Sequence, residues 1–161
     1  MIVELTSDEI INAYYIGYNR SKSVNHSDTK ISKNLHKNRP NWWRHFIGAL
    51  GEVAYSKVTG EDVDTETLGK GDQGYDFKNG IDIKSSDLSR KPNLIISKQA
   101  FDSKICKTYL LAWVKLPYVE LLGTIERNEV LNNLDKMFLK NTPYGKTYIV
   151  NSSKLKKYEI R

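Results

Sequence analysis

A single cysteine, Cys106, occurs in 161 residues, so no internal disulfide can hold the chain together. Such thiol usage fits a reducing compartment. With no histidine near it in sequence, Cys106 reads as a buried or half-buried thiol rather than a nucleophile. Histidine is scarce too: His26, His36 and His45 match no zinc spacing, and the lone cysteine lies far from them. No apolar run approaches the roughly 18 residues of a membrane span. The acidic start Met1-Ile-Val-Glu-Leu-Thr-Ser-Asp-Glu is unlike a secretory signal. A cytoplasmic protein with no membrane partner is expected. Internal repeats and low-complexity tracts are lacking, and the length suits one domain with a core large enough to need no disulfide or structural metal.

What the chain has is basic charge. Lysine and arginine number 25 against 19 acids, a formal charge of +6. That excess suits an anionic partner, nucleic acid first, although solubility alone accounts for it equally well. It is concentrated between Arg20 and Arg44, where Lys22, Lys30, Lys33, Lys37 and Arg39 face only Asp28 as an acid. Helical periodicity lapses there, and an unstructured connection of this length inside a domain is often functional or disordered. A basic arm at about 20–44 that orders on nucleic acid is expected, with Lys30, Lys33, Lys37, Arg39, Trp43 and Arg44 as its contacts. One ring of Trp42-Trp43 is suited to stapling the next helix and the other to stacking on an unpaired base, with a purely structural role for both as the default.

Ser7, followed by Asp8 and Glu9, reads as a helix cap, and Ile10, Ile11, Tyr14, Tyr15 and Tyr18 recur at helical spacing. The spacing predicts a helix over 7–20 with the tyrosines toward the core. A second helix over 44–59 buries Phe46, Leu50, Val53 and Ala54 and ends at Gly60. Gly48 and Gly51 lie within it beside Glu52. Each glycine costs up to about 1 kcal/mol relative to alanine in a helix interior, so the pair points to a close approach by a strand, a metal or a phosphate. The polar stretch 61–73 matches neither a calcium loop nor a phosphate-binding loop. Strands are expected at 94–97, 109–116, 119–125 and 148–150, with helical segments at 98–104, 128–139 and 154–157. The apolar run 109–116 reads as a central strand buried on both faces.

Between these lies Gly74-Tyr-Asp-Phe-Lys-Asn-Gly-Ile-Asp-Ile-Lys-Ser-Ser, which reads as a hairpin. A two-residue Asn79-Gly80 turn would set Asp76 on the isoleucine face, where a carboxylate is costly to bury. A three-residue loop Lys78-Asn79-Gly80, with Gly80 left-handed, pairs Phe77 with Ile81 and sets Asp76 opposite Asp82. Asp82 and Lys84 then share a face about 7 Å apart while Ile81 and Ile83 point into the core. Two carboxylates and an ammonium on one sheet edge call for a cation, and Glu52 on the preceding helix is a third acid. Carboxylate oxygens suit Mg²⁺, and Lys84 suits orienting a water or meeting charge on a phosphate.

In the order Gly48-Ala-Leu-Gly-Glu-Val-Ala-Tyr, Gly74-Tyr-Asp-Phe and Ile81-Asp-Ile-Lys-Ser-Ser, the chain resembles the PD-(D/E)XK nuclease superfamily, over roughly residues 48–86. The resemblance implies a restriction-endonuclease-like α/β fold: a four-stranded central mixed β-sheet flanked by helices. It also implies Mg²⁺-dependent hydrolysis of DNA, with Mn²⁺ able to substitute. Asp76 and Asp82 take the places of the motif's acids, Lys84 its lysine, Glu52 the helix acid, and the Ile83 carbonyl a further metal ligand. A homodimer would bring two sites to two strands, and a partner protein would supply targeting. The alternative is a nucleic-acid-binding module of the same fold without chemistry.

Overall fold

The computed structural model describes residues 1–23, 39–40, 42–65, 75–103, 105–132, 139–142 and 145–159. Lys30, Lys33 and Lys37, and most of the basic arm with them, lie outside these residues.

The first strand, β1 (Ile2–Glu4), leads into α1 (Ser7–Ser23). The cap is Thr6, not Ser7. The Thr6 hydroxyl accepts the Glu9 N–H at 3.3 Å and the Glu9 carboxylate accepts the Thr6 N–H at 2.7 Å, a reciprocal capping box. The helix runs three residues further than its periodicity predicts, because its C-terminal turn packs on α2 (Trp42–Thr59), which itself starts two residues early.

The tyrosine stripe is not the buried face of α1. Ala13, Ile16, Gly17 and Ser21 are buried, whereas Tyr15 and Ile11 are exposed. Small residues four apart let the two helix backbones approach closely. A Cβ at Gly17 would stand 2.5 Å from the Phe46 nitrogen. The larger rings fill the flanks, with Tyr14 edge-on to Trp42 and Phe46 and stacked on Tyr18. Gly17→Ala is therefore expected to force the helices apart and cost about 1–3 kcal/mol, read as a lower urea midpoint with an unchanged slope. An unchanged midpoint would refute this close approach.

Four strands form a mixed sheet in the order β1-β5-β4-β2. Strands β4 (Thr108–Lys115) and β5 (Tyr118–Glu126) are antiparallel, β1 adds antiparallel to β5, and β2 (Ile81–Ser86) adds parallel to β4. As the apolar run suggests, β4 is central and its residues Tyr109, Leu110, Leu111 and Ala112 are all buried. One face of the sheet, with Ile83, Leu110, Val119 and Leu121, packs on α2 through Leu50, Val53 and Ala54. At Gly51 a Cβ would meet the Ser85 Oγ at 2.1 Å, so the glycine's purpose is contact with strand β2.

The opposite face is covered by a second sheet. Strands β3 (Leu94–Ser97), β7 (Gly145–Val150) and β6 (Leu139–Thr142) pair antiparallel in the order β3-β7-β6. Leu94, Ile96, Tyr148 and Val150 from this layer, with Phe101 of α3 (Lys98–Ser103) and Val130 of α4 (Arg127–Asn132), enclose Tyr109, Leu111 and Ile125. The molecule is thus mixed α/β, with a mixed sheet flanked by helices. The described part of the helix expected over 128–139 is α4, which ends at Asn132, and β6 begins at the last residue of that range. The last turn is a 3-10 turn, Ser152–Lys154, capped by Asn151 rather than a helical turn over 154–157. Among the described residues no helix is long and apolar enough to cross a membrane.

Candidate functional site

The turn before β2 has the three-residue form. Gly80 adopts φ +86°, Phe77 bridges Ile81, and the Gly80 N–H donates to the Phe77 carbonyl at 2.8 Å. The pairing stops at that single bridge, so the first arm of the hairpin is not a strand. The N–H groups of Asp76 and Phe77 both donate to the Ile81 carbonyl, at 2.8 and 3.2 Å. Asp76 consequently turns its side chain where the next ladder bond would be, and its Oδ2 accepts the Ile83 N–H at 2.6 Å. Asn79 anchors the turn from outside: its Oδ1 accepts the Ile81 N–H, and its Nδ2 donates to the Tyr55 hydroxyl at 2.7 Å and to Glu61 at 2.6 Å.

Strand β2 is the outer strand of its sheet. In a strand the N–H and C=O of one residue point the same way, so the Ile83 carbonyl faces the same open edge as the Asp76 carboxylate that takes its N–H. Asp82 points to the other face of the sheet, beside its β4 neighbour Tyr109. That face is covered by the second sheet, and Asp82 is fully buried. Lys84, on the same face, brings its Nζ to 2.5 Å from the Asp82 Oδ2. Strand alternation predicts this shared face, but not that the aspartate is sealed from water.

Glu52 comes from α2 and is 5% exposed. Both its oxygens are held by Arg20, with Nη1 to Oε1 at 2.6 Å and Nη2 to Oε2 at 2.7 Å. Arg20 also donates to the Asp64 carbonyl at 2.8 Å. Sequence reading assigns Arg20 to the basic arm. Here it is the last-turn residue of α1 that neutralises the buried acid of α2. Burial works against its charge, but Glu52, then Asp76 and Asp64, hold its pKa above the ordinary value.

These groups share one electrostatic neighbourhood. Asp76 is pushed up to about 7, first by burial, then by the charges of Glu52 and Asp82, against the pull of Lys84 and the Ile83 N–H. His45, on the helix face that leads to Glu52, is lowered to about 4 by burial and by Arg44 and Arg20. Among the described residues no three His, Cys, Asp or Glu side chains are gathered as a ready cage for an ion.

Lys84 also lines a cavity of about 320 Å³ with Arg44, Gly48, Ser85, Ser86 and Asn93. Nothing lies within 4 Å of where a Gly48 Cβ would project. Arg39 and Trp43 are otherwise engaged: Arg39 stacks over the Trp43 ring at 4.9 Å, and both donate to Asp87. They clip the start of α2 to the end of β2. Of the arm residues that are described, Arg44 is the one that reaches the cavity beside Lys84.

Fold and site together define an α/β domain whose outer parallel strand, the turn before it and helices α1 and α2 contribute three acids, a lysine and an arginine to one electrostatic neighbourhood. Comparison of the chain with protein-family models, curated proteins and solved structures finds no match.

Proposed function

We propose that the protein is a small metal-dependent nuclease of restriction-endonuclease-like fold that hydrolyses phosphodiester bonds of DNA. The observation that carries this reading is Asp76. Burial and the two other acids push its carboxyl up to about 7, which marks the edge of β2 as a place where another positive charge is favoured. The donor set consists of carboxylate oxygens and a backbone carbonyl, the chemistry of a hard cation. Mg²⁺ typically takes one or two carboxylates and leaves its other positions to water and substrate, so the absence of a three-acid cage is no obstacle. Asp76, Asp82 and the Ile83 carbonyl would hold it, with Glu52 beside them. Bound there, Mg²⁺ supplies a water of lowered pKa and neutralises charge on the phosphate oxygens.

Lys84 is suited to orienting the attacking water or stabilising the developing charge, because it lines the cavity and its Nζ is held by Asp82. Arg44 at the rim is suited to a phosphate of the bound strand. Purified protein is expected to nick or cut DNA with Mg²⁺ or Mn²⁺ and to stop with a chelator. The assay spans supercoiled, linear, single-stranded and branched DNA, with RNA alongside. No cleavage of any of these under either metal would end the nuclease reading.

One observation favours a second reading. Arg20 already engages both oxygens of Glu52, as suits a nucleic-acid-binding module of the same fold that does no chemistry. Tight DNA binding with no uptake of Mg²⁺ or Mn²⁺ in a calorimetric titration would establish it.

A further inference from the structure

We infer that Arg20 is a positioning residue of this site: it fixes the plane of the Glu52 carboxylate and so sets the affinity for a divalent cation. The inference rests on the metal-site reading above and adds to it a residue drawn from a different element.

The geometry separates this role from that of an ordinary surface pair. The guanidinium meets the carboxylate as a fork, one nitrogen to each oxygen, at 2.6 and 2.7 Å. Such a bidentate pair fixes the plane of the carboxylate as well as its charge. The fork is itself held from behind, since Nη2 also donates to the Asp64 carbonyl. Its base is fixed as well: the Gly17 contact, almost one turn earlier, brings α1 against the α2 backbone. Glu52 is nearly sealed from water, so without this partner its carboxylate would be free to rotate. One lone pair on each oxygen accepts from Arg20, which leaves the second lone pair of each outside this contact. Hydrogen-bonding partners of this kind, one step removed from a metal, typically alter its affinity by about 10–100-fold when changed.

The test is Arg20→Lys, which keeps the charge beside Glu52 and loses the fork. Mn²⁺ binding to the full chain is followed by electron paramagnetic resonance or calorimetry, and thermal unfolding in chelator checks the fold. Mn²⁺ affinity is expected to fall by about 10–100-fold with the unfolding midpoint near that of wild type. In the cleavage assay the metal concentration for half-maximal rate rises while KM for DNA stays unchanged. Because Arg20 acts through Glu52, adding Arg20→Lys to Glu52→Gln should lower Mn²⁺ affinity no further than Glu52→Gln alone. That comparison also holds if the single Arg20→Lys variant fails to fold, since the double variant leaves no buried charge at position 52.

Equal or tighter Mn²⁺ binding by folded Arg20→Lys, or additive losses in the double variant, would overturn the inference. Wild-type protein that binds Mn²⁺ but leaves DNA intact removes the nuclease reading and leaves the role of Arg20 standing. Wild-type protein that takes up no Mn²⁺ removes both.

Discussion

Lys84→Met is expected to lose about 3–5 kcal/mol of stability together with DNA cleavage. The reason is Asp82, which is fully buried and pairs with the Lys84 Nζ at 2.5 Å. Taking away the ammonium removes the cation that meets the Oδ2 of a carboxylate sealed between two sheets. Asp82→Asn is milder for the fold, since the Lys84 side chain is 27% exposed and its charge can turn toward water. Combining the two substitutions removes the buried charge altogether, and much of the stability lost in Lys84→Met should return. Cleavage should not return: each single variant and the double variant are expected to fall by about 10²–10³-fold, the loss that follows removal of an aimed charge from a reacting centre. A urea titration and a supercoiled-plasmid assay on the four proteins read both quantities. The double variant should be stable and inactive, which separates the chemistry of the pair from its structural role. If it cuts DNA at the wild-type rate, neither residue belongs to the machinery; if Lys84→Met is as stable as wild type, the buried pair does not exist.

Asp76→Asn is expected to abolish the loss of stability above pH 6.5 in chelated protein. In the folded protein the Asp76 carboxyl lies at about 7, against an ordinary value of 3.8. Raised in this way, it contributes stability that is fully present below about 3.8 and is lost as pH rises through about 7. The difference corresponds to at most about 4 kcal/mol. His45 works the other way. Lowered from 6.5 to about 4, it contributes stability that is present above 6.5 and is lost as pH falls through about 4. The two slopes oppose one another between about pH 4 and 6.5, and above that only the Asp76 loss continues. Wild type should therefore be nearly level through the acid range and weaken toward pH 8, whereas Asp76→Asn should strengthen up to about pH 6.5 and then stay level. Mg²⁺ should restore wild type at pH 8, by about 2.7 kcal/mol at 100-fold excess over its Kd, and should do much less for Asp76→Asn. Identical pH profiles for the two proteins would refute the raised Asp76, and an unmoved midpoint on adding Mg²⁺ would remove its assignment to a cation.

Local pattern accounts for much of the architecture. The turn at Lys78-Asn79-Gly80 was legible because a two-residue alternative would have set Asp76 among the isoleucines, and Gly80 does take the left-handed conformation that the longer loop requires. The unbroken apolar run of β4 announces a strand with both faces covered. Where local pattern misleads, the cause is a partner it does not name. The tyrosines of α1 are the most conspicuous periodic residues, yet the buried face is Ala13, Gly17 and Ser21, whose small size and four-residue spacing were the available signal of a close helix crossing. Trp43 and Arg39, suited to nucleic acid in sequence, also share a partner in the fold that the sequence does not name, Asp87.

The sequence by itself determined much of the outer strand of the site: alternation placed Asp82 and Lys84 on one face and Ile83 on the other, and the turn took its three-residue form, although Asp76, expected opposite Asp82, instead takes the Ile83 N–H at the edge. These follow from neighbours within a few residues, where steric and hydrogen-bonding rules act directly. Tertiary structure alone decided that Asp82 is fully buried, because alternation specifies a side of the sheet and not what covers it. It alone decided that Arg20 would hold Glu52, since the two are 32 residues apart and meet only because Gly17 lets α1 lie against α2. Burial and charge compensation depend on what packs from elsewhere in the chain, and they are what turn a pair of alternating charges into an electrostatically coupled cluster.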